Sequence, residues 1–131
     1  MNKSRILVVD DDANLSRLVS IMLEKTRLYE VKVENRSHNA FATAAAFKPD
    51  VILLDVDMPG LDGGDVAHLI RQDAALKSTP IVFFTSLISQ AEAGGSMVSR
   101  GGENYLAKPV EPSALIRSLE ALLSGPAAVS G

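Results

Sequence analysis

Three short apolar runs punctuate the chain: Ile6-Leu7-Val8-Val9, Val51-Ile52-Leu53-Leu54 and Ile81-Val82-Phe83-Phe84. Unbroken apolar runs of this length, ended by polar or turn residues, read as strands buried on both faces, as in a parallel sheet. The first stops at Asp10-Asp11-Asp12, the second at Asp55 with Pro59-Gly60 just beyond, and the third at Thr85-Ser86. Between the runs the period changes. Leu15, Leu18, Val19, Met22 and Leu23 recur at helical spacing behind Asp12, a suitable N-cap. Tyr29 to Glu34 alternates more loosely and suits a strand nearer the sheet edge. Ser37 is placed to cap a short helix with Phe41, Ala44, Ala45 and Phe47 on its inner face, stopped by Pro49. Asp62 is placed to cap another that buries Val66, Leu69 and Ile70.

The second half is less even. Leu87 to Gly101 contains helix-favouring Ala, Glu and Gln, which makes it the expected fourth helix. Gly94-Gly95 weakens it by up to about 1 kcal/mol per glycine, so it is the segment expected to be most mobile. Asn104 to Ala107 reads as a short fifth strand ending at Lys108-Pro109. A last helix starts at Pro112, turns Leu115, Ile116, Leu119, Leu122 and Leu123 inward, and is expected to stop at Gly125-Pro126. Five strands thus alternate with five helices, which calls for an α/β fold with a doubly wound five-stranded parallel sheet. One domain over residues 4–124 is expected, with 125–131 as a tail or linker stump.

Composition narrows the functional classes. A chain of 131 residues fits one domain with a real core. The net charge is -3 and no basic run occurs, so nothing suggests nucleic-acid binding by this chain alone. Cysteine is absent, which excludes disulfides, zinc-thiolate sites and thiol catalysis. The N-terminus is too short in apolar residues for a signal peptide, and no stretch has membrane-spanning length. The chain reads as cytoplasmic.

The polar residues that end the strands carry the chemistry. Ligands of open α/β sheets bind at the C-terminal edge of the strands, and Asp10, Asp11, Asp55, Thr85 and Lys108 all leave the sheet there. The three most apolar strands are expected to be central, which brings three carboxylates together. At roughly 6 Å and an effective dielectric near 20, each charged pair costs about 3 kcal/mol. Either some protonate or a cation gathers them. All-oxygen ligands suit Mg2+, with Mn2+ as a substitute. A divalent cation, the Lys108 ammonium and the Thr85 hydroxyl around one carboxylate form a cradle for three phosphoryl oxygens. The central carboxylate then serves as nucleophile and becomes an acyl phosphate.

Asp10-Asp11 after a strand, Asp55 followed by Met58-Pro59-Gly60 and Asp62-Gly63, Thr85, and Lys108-Pro109 resemble the receiver domain of response regulators in two-component phosphorelay signalling, as in bacterial chemotaxis. The resemblance spans Ile6 to Leu123. It implies a three-layer flavodoxin-like sandwich in which Asp55 accepts a phosphoryl group from a histidine kinase or histidine phosphotransfer protein. It implies that Asp10, Asp11 and Asp55, with the backbone carbonyl of Asp57, hold the metal, Asp10 and Asp11 directly or through water. Thr85 and Lys108 then contact the phosphoryl group, and Thr85 with Tyr105 switches a surface that binds a downstream protein or an effector domain. Such a protein is a signalling switch with slow self-dephosphorylation, and Asp57 and Leu87 flank the water path. A cis peptide is expected at Lys108-Pro109. One departure stands out: Ser99-Arg100-Gly101-Gly102-Glu103 precedes the fifth strand, where the family usually has Gly-Ala and an acidic residue.

Other readings exist for these residues. Asp10 and Asp11 could cap the first helix, although Asp12 is better placed for that. Thr85 could be an ordinary strand residue and Tyr105 a core cover. His38 and His68 suit solvent-facing helix positions. Asp55-Val56-Asp57 is also an Asp-x-Asp after an apolar strand, which resembles the nucleophile and acid/base pair of haloacid-dehalogenase-like phosphatases. Those enzymes usually carry Thr where this chain has Pro59, place the motif on the first strand, and have a cap for which no residues remain here.

Overall fold

Both faces of the central sheet are covered, which is why its strands are apolar without interruption. The computed structural model describes residues 3–56, 58–60, 62–85, 98–100, 103–107 and 111–130. Its elements are β1 (Ser4–Val9), α1 (Ala13–Glu24), β2 (Tyr29–Glu34), a 3-10 turn (Ser37–Asn39), α2 (Ala40–Phe47), β3 (Val51–Asp55), α3 (Gly63–Gln72), β4 (Ile81–Thr85), β5 (Val98–Arg100), β6 (Glu103–Ala107) and α4 (Pro112–Ser130). The strand order is β2-β1-β3-β4-β6-β5. Five strands are parallel and form the doubly wound, flavodoxin-like sheet expected from the sequence.

Successive residues of a strand point to opposite faces, and the core divides accordingly. Leu7, Val9, Ile52, Leu54 and Phe83 pack with Ala40, Ala44, Val66 and Ile70 of α2 and α3. Ile6, Val8, Leu53, Val82 and Phe84 pack on the other face with Val19, Leu23, Leu115 and Leu119 of α1 and α4. The result is the three-layer sandwich, with β1, β3 and β4 side by side in its centre. β2 lies at the sheet edge, as its looser alternation suggests.

The helices differ from expectation in which side chains they bury. Asp12 caps α1 by accepting from the N–H groups of Asn14 and Leu15. The buried stripe of α1 then runs through Ser16, Val19 and Leu23, and Leu18 is exposed. On α3 the buried face is Gly63, Val66, Ala67 and Ile70, so Leu69 points outward. Each residue advances a helix by about 100°, so a leucine next to a buried position lies well off its face. On α2, Ala45 is exposed for the same reason. Ser37 does not cap that helix. It opens the 3-10 turn, and its hydroxyl donates to the carbonyl of Pro59 instead.

The sheet has a sixth strand that the sequence reading placed in a helix. Val98–Arg100 pairs antiparallel with β6, in the register Val98↔Tyr105 and Arg100↔Glu103. The connection is Gly101-Gly102, a length and composition that antiparallel hairpins favour. The fourth helix was expected within Leu87 to Gly101; its 87–97 part lies outside the described residues. β6 therefore lies inside the sheet, between β4 and β5. At the C-terminus, α4 runs on to Ser130 rather than stopping at Gly125-Pro126. An internal proline forgoes one amide bond at a cost of ~3 kcal/mol, and the helix-favouring Ala127 and Ala128 carry the helix past it.

Gly63 couples the fold to the strand end that matters. Its amide donates to the carbonyl of Val56 at 2.9 Å, at the start of a helix capped reciprocally by Asp62 and Asp65. A Cβ on Gly63 would sit 2.6 Å from the Asp55 carbonyl oxygen and 2.9 Å from the Val56 Cα. The nearest atoms are all backbone of Asp55 and Val56, so no flexible side chain can give way.

Two outcomes follow for equilibrium urea denaturation. Ile70→Ala should lose about 2–5 kcal/mol of stability, whereas Leu69→Ala, at an exposed position, should stay within about 0.5 kcal/mol. Comparable losses would contradict the observed face of α3. Gly63→Ala should cost about 1–3 kcal/mol through overpacking against β3, and a neutral result would mean that the helix start can shift freely.

Candidate functional site

The parallel register sets three strand ends level. Val9 pairs with Leu54, and Asp55 pairs with Phe84, so Asp10, Asp55 and Thr85 emerge at the same edge of β1, β3 and β4. Asp10, Asp55 and Thr85 are buried, and Asp11 is exposed. One carboxylate oxygen from each of Asp10, Asp11 and Asp55 lies within 4.8 Å of the others. The three carboxylates that the sequence placed together are thus brought together.

Their neighbours hold the arrangement. The amide of Asp12 donates to Asp10 Oδ1 at 2.9 Å, while the Asp12 side chain caps α1. Of three successive aspartates, two join the cluster and the third caps the helix. The backbone N–H of Asp10 donates to the Glu34 carbonyl at 3.1 Å. The Asn35 amide nitrogen donates to the Asp10 carbonyl at 2.7 Å and to Ser16 Oγ at 2.9 Å. Across the site, Met58 is buried in the loop that follows β3. Gly60 in the same loop has φ +85°, a conformation that favours glycine. Neither Asn35 nor the Ser37 contact was visible in the sequence, because their partners are 25 and 22 residues away. No local pattern encodes such pairs.

Three ionised carboxylates this close repel by about 3 kcal/mol per pair at an effective dielectric near 20. The donor set is oxygen only, with two groups buried and one facing solvent, which fits a hard divalent cation that keeps some of its water. Among the described residues no histidine or cysteine joins the cluster. The residues therefore fit magnesium.

Four other positions singled out by sequence, Asp57, Leu87, Lys108 and Pro109, lie outside the described residues, as does the Lys108-Pro109 peptide. Tyr105 is half-buried on β6, and its ring stacks on Phe83 with centroids 5.3 Å apart. A surface groove of about 380 Å³ opens beside both rings, lined also by Gly64, Ala67, His68 and Arg71. His68 is an exposed position of α3, bonded to Gln72. His38 is also exposed, but on the 3-10 turn and against Gly60 rather than on a helix. No described helix is long and apolar enough to cross a membrane.

Comparison with known proteins identifies the family. The family model for the response regulator receiver domain matches residues 6–120. The chain is 33% identical over 122 residues to the protein PilH of Pseudomonas aeruginosa, covering 93% of this chain and 99% of PilH. It is 32% identical over 121 residues to the DNA-binding response regulator MtrA of Mycobacterium tuberculosis, and there it spans about half of the relative, 51%. The chemotaxis protein CheY4 of Vibrio cholerae superimposes with a TM-score of 0.79 at 30% identity, over 93% of this chain and 100% of that one. None of these matches supports the phosphatase reading of Asp55 and Asp57. The chain belongs to the response regulator receiver domain family, the phosphoacceptor signalling module of two-component systems.

Proposed function

We propose that Asp55 is the phosphoacceptor and that Asp10, Asp11 and Asp55 itself, with the backbone carbonyl of Asp57, hold Mg2+ or Mn2+. The observation that carries this reading is the gathering of the Asp10, Asp11 and Asp55 carboxylates within 4.8 Å at the C-terminal edge of the sheet. When bound, the cation supplies positive charge against the phosphoryl oxygens. An Asp55 carboxylate oxygen attacks the phosphorus of a phosphohistidine. The new O–P bond forms as the P–N bond breaks, and the imidazole leaves with a proton from solvent. The product is an acyl phosphate on Asp55.

Lys108, the residue after β6, supplies a fixed positive charge toward the same oxygens, and the Thr85 hydroxyl donates to one of them. Tyr105 follows Thr85: its ring stacks on Phe83, two residues before Thr85 on β4, and the groove beside it leaves room for a change of rotamer. That change is the switch by which phosphorylation reaches a partner surface. Water later cleaves the O–P bond slowly, releasing phosphate and restoring the carboxylate, with Asp57 and Leu87 beside its path. The family is a signalling module rather than a true enzyme, and its phosphodonor is a histidine kinase. A histidine phosphotransfer protein as the immediate donor, a separate downstream protein or an attached effector as output, and a cytoplasmic setting complete the reading.

Labelling by acetyl phosphate tests it. The wild-type chain should be modified once, on Asp55, with magnesium present, and chelation by EDTA should abolish the modification. Asp55→Asn should remove labelling while leaving the circular dichroism spectrum unchanged. Equal labelling of that variant would overturn the assignment. A generic phosphate ester should not be turned over, whereas repeated turnover would favour a phosphatase.

A further inference from the structure

We propose that the β2–α2 turn, residues 35–38, sets the spacing between Asp10–Asp11 and Asp55, with Asn35 and Ser37 as positioning residues that tune affinity for the divalent cation. The proposal rests on the reading of the acidic cluster as a cation site. It adds two residues that contribute no ligand.

The turn grips both loops that carry the carboxylates. On one side, residues 34 and 35 take both polar groups of the Asp10 backbone: the Glu34 carbonyl accepts its N–H and the Asn35 amide donates to its carbonyl. The same Asn35 nitrogen donates to Ser16 Oγ. Ser16 is buried in the first turn of α1, and its hydroxyl donates to the Ala13 carbonyl at 3.2 Å. Asp10 is thereby fixed between the end of β2 and the start of α1. On the other side, the buried Ser37 donates to the Pro59 carbonyl at 3.0 Å. The His38 ring packs on Gly60 so closely that a Cβ there would lie 2.7 Å from its Nε2. Pro59 and Gly60 belong to the loop that leaves Asp55.

The geometry makes this bridge necessary. β2 and β3 are not neighbours, because β1 lies between them, so strands two apart are separated by about 9.5 Å. The turn has to cross the end of β1 to reach the β3 loop. It is itself anchored: Glu34 accepts from the Arg36 amide at 3.0 Å and from the Thr43 hydroxyl of α2 at 2.6 Å. A clasp anchored on α2 and closed on two loops opposes the separation that carboxylate repulsion favours in the cation-free protein. Without it the ligands relax apart, and the cation must draw them together as it binds.

Isothermal titration calorimetry of the full chain with magnesium chloride tests this, alongside acetyl phosphate labelling at low and saturating magnesium. Asn35→Ala and Ser37→Ala should each raise the magnesium dissociation constant about tenfold, while labelling at saturating magnesium stays within about twofold of wild type. Val19→Ala, a core change on α1 away from the turn, should lower the melting temperature without moving that constant. Rescue by saturating magnesium is the signature of a positioning role. Unchanged affinity in both turn variants of a wild type that binds magnesium would overturn the proposal alone, as would an equal loss in Val19→Ala. A wild-type chain that takes up no magnesium, with labelling that survives Asp55→Asn, would overturn the site reading and this proposal together.

Discussion

Like charges held close together are the constraint around which this molecule is built. Asp10, Asp11 and Asp55 bring carboxylates within 4.8 Å, and each ionised pair at that spacing opposes folding by about 3 kcal/mol. Slack loops would relieve this by letting the side chains swing apart. The strands that carry them are correspondingly well buried. β1, β3 and β4 are buried on both faces, and the pairs Val9↔Leu54 and Asp55↔Phe84 fix where they end. Burial is deep in the sheet, and the charge cluster is mounted on its rim.

The loops need their own restraint, and neighbouring aspartates provide part of it. Asp12 is one residue from the exposed Asp11 and two from the buried Asp10, yet its side chain faces the N–H groups of Asn14 and Leu15. A carboxylate suits that place because a helix start carries partial positive charge and unsatisfied donors. Its backbone N–H meanwhile donates to Asp10 Oδ1, which stabilises the buried carboxylate without adding a charge. The same logic holds at Asp62 and Asp65, whose reciprocal cap fixes α3 where Gly63 meets the Asp55 carbonyl.

Much of this was legible in the sequence because burial on both faces leaves a strong local mark. The runs at Ile6, Val51 and Ile81 located the central strands, and their polar ends located the site. What was not legible has two physical sources. Leu18, Leu69 and Ala45 sit beside truly buried positions, and an apolar residue on the wrong arc of a helix looks the same in one dimension. Asn35 and Ser37 act on partners 19 to 25 residues away, so nothing near them announces what they bond. The glycines at 101 and 102 did carry a signal for the β5–β6 hairpin. It was outweighed by the helix-favouring composition of the preceding residues.

That hairpin alters how the far side of the sheet can respond. β6 pairs with β4 on one side and with β5 on the other, so its backbone is tied along both edges. A strand held in this way resists translation, and the cost of moving it includes ladder bonds on two sides at about 1 kcal/mol each. Side-chain rotation breaks none of them. Tyr105 lies on this strand opposite Phe83 and Val98, with its ring half-buried beside an open groove. Any signal that crosses from Thr85 to this side therefore travels more cheaply through the aromatic ring than through the backbone that carries it.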